Sequence, residues 1–271
     1  MVIGLIGAQN SHSEHFLEFL NKHKKHDGFS VGYIYGADDP EICARLVSDY
    51  GIVSCANEDE VIEKSDAVVI TYRKGSLHYE PAMKVLSAGK PLFNDKPFTS
   101  NTEEAKKIVD FAKEKNILIC GGSSVKCLEE FESIGKKIQP GDTVVISFPG
   151  DPGSEYDGYY FYGIHSVEAC LKLLGINYTG VSSMRNGDMV VSAITYPDNK
   201  CVLITSPEYA RLDITIIGKS ETVHQDIVMN YQGIGPDEFC NMLKSNKMPR
   251  EYNYYLTAVK LMTAIVESAG L

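Results

Sequence analysis

The chain has 271 residues, 44% hydrophobic and 23% charged, an ordinary globular make-up with room for two modest domains. A formal net charge of −10, with no basic tract or basic amphipathic helix to offset it locally, excludes a phosphate-neutralising face, so nucleic acid is not an expected partner. No apolar run approaches a membrane span, and the seven cysteines are dispersed without a C-x-x-C pair, which fits reduced thiols and offers no zinc spacing. The opening Met1-Val2-Ile3-Gly4-Leu5-Ile6-Gly7 has no charged leader, and the expectation is a cytoplasmic protein.

Up to Gly122 short apolar runs alternate with helical patterns, which is the grammar of βαβ units around a parallel sheet. Val2–Ile6 reads as a strand, followed by a helical pattern through Phe16, Leu17 and Leu20. Ser30–Tyr35 is the next strand, after which Asp39-Pro40-Glu41 supplies an N-cap with proline at the first helical position. Residues 67–71 form a third clear strand, and 77–86 a helix that stops at Gly89. Residues 91–94 are a strand, Ser100-Asn101-Thr102-Glu103 is a capping box opening a helix to Lys115, and 117–120 closes the unit.

After Gly122 one helix, 125–138, leads into strands at 143–148, 180–184, 189–196, 201–206, 211–217 and 222–229. Pro197-Asp198-Asn199 is a turn between two of them, and the absence of helices between most of them predicts an antiparallel sheet. Helices are expected at 163–174, 236–245 and 251–269, and the Gly-, Pro- and Asp-rich loop 149–158 is the expected mobile element.

Two places carry chemistry by local grammar. Asp95-Lys96-Pro97 sets a lysine at the carboxyl end of a strand, beside a residue that cannot continue the ladder. Ligands of open α/β sheets bind just outside those ends, so Lys96 is placed for chemistry. After the first strand a dinucleotide fold keeps G-x-G-x-x-G, and this chain offers Gly7-Ala8-Gln9-Asn10-Ser11-His12. Gln9 and His12 bring side chains to the second and third glycine places. Ser11-His12-Ser13-Glu14 also reads as a capping box, with Glu14 opposing a pyrophosphate. The expected phosphate loop is Gly7, Gln9, Asn10 and Ser11. Asp38, with a one-residue shift, is the acid for the ribose hydroxyls, and with no arginine following it NAD is favoured over NADP.

Ala88-Gly89-Lys90 followed by Asp95-Lys96-Pro97 resembles the Ala-Gly-Lys…Glu-Lys-Pro signature of the glucose–fructose oxidoreductase / inositol dehydrogenase family, Gfo/Idh/MocA. Thr71-Tyr72-Arg73-Lys74-Gly75-Ser76-Leu77-His78 is similar to that family's T-P-x-x-x-His loop, two residues longer and without the proline; His78 is either the motif's histidine or a helix-start residue. Tyr162-Gly163-Ile164-His165-Ser166-Val167-Glu168 resembles its Asp-x-Gly-x-His-x-x-Asp motif.

The resemblance implies a Rossmann-type doubly wound α/β domain over 1–122. It implies a smaller α+β domain over 123–271, with a mostly antiparallel open sheet for substrate and oligomerisation. It implies a nicotinamide-dependent oxidoreductase that moves a hydride to or from a secondary hydroxyl of a sugar, cyclitol or related polyol. NAD, or NADP, would be held by Gly7, Gln9, Asn10, Ser11, Asp38, Thr71, Asp95 and Lys96, and the Lys96-Pro97 bond would be cis. Lys96 and His165 would be catalytic, with Tyr162 and Glu168 at the substrate. The protein would be a homo-oligomer, without metal or membrane.

In the family the histidine works with an aspartate four residues before it, and here that place is Phe161. Its role falls to Glu168 or to one of Tyr159, Tyr160 and Tyr162. The aromatic run 159–162 reads as a wall for a sugar ring or as a buried strand end. The missing glycines and carboxylate leave an alternative of another class, a non-catalytic family member that binds a small ligand in a regulatory role.

Overall fold

Val2–Ile6 (β1) is buried from Ile3 onward and lies in the middle of a parallel sheet in the computed structural model, which describes residues 1–228 and 232–271. The other strands are β2 (Ser30–Tyr35), β3 (Val53–Ser54), β4 (Ala67–Ile70), β5 (Leu92–Asn94) and β6 (Ile119–Gly121). The order is β3-β2-β1-β4-β5-β6, parallel at every pairing. The direction of winding reverses between β1 and β4, which puts the ligand crevice of a doubly wound sheet at the carboxyl ends of those strands. Connecting helices are α1 (Ser11–Leu17), which continues as a π-helical turn Glu18–Lys22, α2 (Pro40–Tyr50), α3 (Glu58–Lys64), α4 (Tyr79–Ser87) and α5 (Thr102–Lys115).

Sequence patterning passes over β3 and α3. Both residues of β3 are exposed, and a two-residue strand carries no periodicity. Asp39 caps α2 as expected, its carboxylate accepting from the Ile42 amide. The two expected capping boxes shift by one residue. Asn10, not Ser11, caps α1, and Asn101, not Ser100, caps α5 by accepting from the Glu103 and Glu104 amides. An asparagine carboxamide competes well with serine for this place.

Lys90 bonds the carbonyls of Ile62, Glu63 and Ser65 at the end of α3. The Ala-Gly-Lys half of the lysine signature is therefore a helix cap, and only the second half concerns the strand end.

The chain divides into two compact units, Met1–Gly122 with Gln232–Leu256, and Ser123–Tyr231 with Thr257–Leu271. Residues 232–256, assigned by the sequence to the second domain, thus group with the first. Helix Ile234–Ser245 explains this, because Phe239 packs edge-on against Phe16 and Phe93. Tyr252 also donates to the Ile117 carbonyl, and Phe98 stacks on Tyr255.

The second unit holds a mixed sheet of β7 (Thr143–Pro149), β8 (Gly180–Asn186), β9 (Met189–Thr195), β10 (Lys200–Ser206), β11 (Leu212–Ile217) and β12 (Thr222–Ile227). The order is β12-β11-β7-β10-β9-β8, antiparallel except for β7 with β10. The end of the strand read at 222–229 includes Met229, which lies outside the described residues. The helix read at 125–138 is instead a 3-10 turn Ser124–Cys127, an extended Leu128 and a short helix Glu130–Gly135. Helix Tyr160–Leu174 begins three residues before the expected 163, so Tyr160, Phe161 and Tyr162 are helical and the strand-end reading of this run is corrected. The last helix, Tyr252–Ala269, starts in the first unit and ends in the second. Among the described residues no helix is long and apolar enough to cross a membrane, and all seven cysteines are free.

Candidate active site

In the first unit, Gly7 ends β1 at φ +107°, and a Cβ there would lie 2.9 Å from both Thr71 Oγ1 and the Tyr72 nitrogen. Only glycine fits. Thr71 is fully buried, and its hydroxyl and that of Ser13 lie 2.6 Å apart, both on the Gly7 carbonyl. Thr71 therefore props the loop from within rather than facing outward. The Asp38 carboxylate accepts from the amides of Ala8 (2.9 Å) and Gln9 (3.0 Å), which joins the end of β2 to the loop after β1.

Asn10 is buried, with Oδ1 accepting from the His12 amide and Nδ2 donating to Asp95. Its side chain is thereby committed inside the protein, contrary to the expected role as a phosphate donor. Ser11 is exposed at the start of α1. Glu14 turns away from the loop and takes both guanidinium nitrogens of Arg45, at 2.7 and 2.8 Å. That hydrogen bonding holds its carboxyl below the usual range. The expected Ser11–Glu14 capping box does not form, and Glu14's charge is balanced.

Lys96 follows β5 and is 4% exposed. Burial draws its ammonium down to about 8, with Asp95 opposing the shift and Arg73 adding to it. The Lys96-Pro97 peptide is cis. Asp95 is also buried, and its Oδ2 lies 2.7 Å from His12 Nδ1. Burial pushes its carboxyl up, but the His12 ring bonded to it and the neighbouring Lys96 ammonium outweigh burial and hold it below the usual range. His78 is fully buried at the start of α4, with Nε2 donating to the Tyr72 carbonyl. Burial lowers its pKa, which makes it a neutral internal tie at a helix start.

In the second unit, His165 and Glu168 lie one turn apart on helix Tyr160–Leu174, and both meet Ser123. His165 Nδ1 is 2.6 Å from Ser123 Oγ, while Glu168 Oε1 accepts from the Ser123 amide at 2.6 Å. Glu168 Oε2 pairs with Lys126 Nζ at 2.8 Å, with side chains 2% and 1% exposed. Lys126 Nζ also donates to the Ser123 carbonyl at 2.8 Å. Glu168 is thus an interior residue rather than the expected substrate contact. Sequence reasoning missed Ser123 and Lys126, because a lysine in a four-residue turn carries no mark of burial.

Phe161 packs against the rings of Tyr156 and Tyr162. The Tyr159 hydroxyl bonds Thr205, and burial pushes it up to about 12; the Tyr160 hydroxyl bonds Thr263. Tyr162 remains 41% exposed, its ring 5.7 Å from the His165 ring. Among the described residues one group could offer three ligands to an ion: Asp213, His224 and Asp226 on β11 and β12. Arg211 already pairs with both carboxylates, at 3.7 and 3.2 Å.

The strand order and the tight glycine after β1 define a dinucleotide-type α/β unit. Residues 1–122 match the family model GFO_IDH_MocA, "Oxidoreductase family, NAD-binding Rossmann fold", a span of just under half of the chain. It is similar to the uncharacterized oxidoreductase YhhX of Escherichia coli (strain K12), 26% identical over 272 residues, covering 91% of this chain and 75% of that protein. Its fold is similar to that of GenD2 from gentamicin A biosynthesis in complex with NAD, with a TM-score of 0.83 and 15% identity, covering 100% of this chain and 94% of that one. It is also similar to that of apo scyllo-inositol dehydrogenase from Lactobacillus casei, with a TM-score of 0.82 and 14% identity, covering 100% and 96%.

Proposed function

We propose that this chain is a NAD-dependent oxidoreductase acting on a secondary hydroxyl of a sugar, cyclitol or related polyol. The observation that carries the reading is Lys96, a buried amine at the carboxyl end of β5 with its pKa drawn to about 8. An amine titrating there is charged or neutral at working pH, so it can stabilise a developing alkoxide or exchange its proton. For His165 the reading assigns contact with the substrate oxygen, and for Tyr162 a place at the substrate.

The residues of the first unit fit a dinucleotide. Gly7 gives the close turn, and the Ala8 and Gln9 amides point at an anion, the Asp38 carboxylate. Asp38 would take the ribose hydroxyls, and a 2′-phosphate would meet its negative charge. The amides of Asn10 and Ser11, at the start of α1, would face the pyrophosphate. Bound NAD supplies the hydride acceptor. The similar structures named for a NAD complex and for a scyllo-inositol dehydrogenase support the cofactor and substrate class.

The test is titration of the full chain with NADH and NADPH, followed by nicotinamide fluorescence. Enhancement with NADH, and polyol-dependent reduction of NAD that falls steeply in Lys96→Ala, is the expected result. No binding of either cofactor at high micromolar concentration overturns the reading.

A further inference from the structure

We propose that Ser123 is a positioning residue that fixes neutral His165 with its proton on Nε2, so that His165 meets a substrate oxygen as a hydrogen-bond donor rather than as a base. The substrate part of this proposal rests on the oxidoreductase reading; the tautomer is a property of the second unit alone.

The tautomer follows from the bonding capacity of one hydroxyl. A serine Oγ has a single proton to donate and two lone pairs. Ser123 is fully buried, and its Oγ accepts the Val125 amide at 3.2 Å as the cap of the turn Ser124–Cys127. The other contact of that oxygen among the described residues is His165 Nδ1, at 2.6 Å. A buried O–H without an acceptor is costly, and Nδ1 is the acceptor in reach. The O–H therefore donates to Nδ1, the Nδ1 lone pair is occupied, and the ring proton of the neutral imidazole resides on Nε2.

Ser123 is held by both of its backbone polar groups. Its amide donates to Glu168 Oε1, its carbonyl accepts from Lys126 Nζ, and Lys126 and Glu168 are themselves an ion pair. A buried ion pair is weak evidence of stability, because desolvation offsets much of its attraction. Here it orients the serine that orients the histidine, the usual way in which a supporting shell sets a tautomer. The rings of Phe148 and Tyr162, with centroids at 5.3 and 5.7 Å, flank the imidazole.

Phe161, one turn before His165, offers no carboxylate, and the group at Nδ1 is the Ser123 hydroxyl. A carboxylate at Nδ1 can only accept, which puts the ring proton on Nδ1 and leaves Nε2 as a base. A serine hydroxyl committed to donation does the reverse. Glu168 does not restore the base, since both its oxygens serve Ser123 and Lys126. In the proposed reaction His165 then meets the substrate oxygen as a neutral donor.

The experiment is long-range proton–nitrogen NMR of the full chain labelled at histidine nitrogens, without cofactor, at a pH of about 8.5 where imidazoles are neutral. His165→Gln identifies the signals. The expected wild-type pattern is the Nε2–H form. Ser123→Ala moves the tautomer ratio by about tenfold toward Nδ1–H, the equivalent of one hydrogen bond, and Ser123→Thr restores it. A wild-type Nδ1–H pattern, or a ratio unchanged in folded Ser123→Ala, overturns the proposal. If the alanine variant does not fold, Ser123→Gly replaces it in the same comparison, since the shift in ratio is what tests the serine. A purely structural serine would lower the melting temperature without moving the tautomer. Absent NADH binding would sink the oxidoreductase reading and leave this result standing.

Discussion

His12 occupies the third-glycine place of the nucleotide loop, and its Nδ1 lies 2.7 Å from the carboxylate of Asp95, the residue immediately before Lys96. Asn10, from the same loop, donates to that same oxygen at 3.0 Å. The altered glycine motif and the lysine motif are therefore one connected structure. The side chain that replaces the third glycine supports the strand end that presents the lysine.

Removing this connection is predicted to be costly. Asp95→Asn should destabilise the protein by about 3 kcal/mol in urea unfolding, because it removes the carboxylate that supports the buried Lys96 ammonium and bonds His12 and Asn10. His12→Ala should cost about 1–2 kcal/mol, the scale of one hydrogen bond to a charged group. The pH dependence follows from the lowered pKa of Asp95. The carboxylate's contribution is present above its unfolded value of 3.8 and is lost as pH falls through the lower folded value. Unfolding measured from neutral to acid pH should show this loss in the wild type and not in Asp95→Asn.

Lys96 has the opposite linkage. Its pKa falls from 10.5 to about 8 on folding, so between those values the unfolded chain binds a proton that the folded protein has released. Stability from this group therefore rises with pH across that window. Replacing it by an apolar chain of similar length, Lys96→Met, should abolish this increment, whose full size is about 3 kcal/mol. The check is the difference in unfolding free energy between the two proteins at pH values near the two ends of the window.

The buried pair Lys126–Glu168 should be strongly non-additive. Lys126→Met and Glu168→Gln should each cost about 3 kcal/mol or more, since each strands a buried partner. The double variant should cost clearly less than their sum, and a double-mutant cycle of unfolding free energies reads the coupling. Additive losses would show that the two side chains act independently.

Asp38 should decide between the two cofactors. In Asp38→Ser the like-charge clash with a 2′-phosphate is gone, so the ratio of NADPH to NADH affinity should rise by about tenfold or more. Fluorescence titration measures both constants. An unchanged ratio would remove Asp38 from the ribose site.

Much of this was legible in the chain. The bounds of β1 and β2 follow from apolar runs, and the start of α2 from Asp39-Pro40, because period and capping are local properties. The Asp95-Lys96-Pro97 and Gly163-Ile164-His165 motifs each hold a side chain that the fold buries, Lys96 and His165. Local grammar failed where competing caps stood side by side, as at Ser11 against Asn10, and where a lysine at 126 turned inward.

The order of residues was enough for the alternation of strands and helices, the match of residues 1–122 to an oxidoreductase family model, and the placement of Lys96 at a strand's end. Those depend on neighbours a few residues away. Folding was needed to show that Asp38 reaches the loop amides 29 and 30 residues before it, that Asn10 and His12 hold Asp95, and that Ser123 faces His165 across 42 residues. Hydrogen bonds are specific to distance and direction, and a linear pattern encodes neither for groups that far apart. The chain named its chemical groups, and the fold assigned each donor its acceptor.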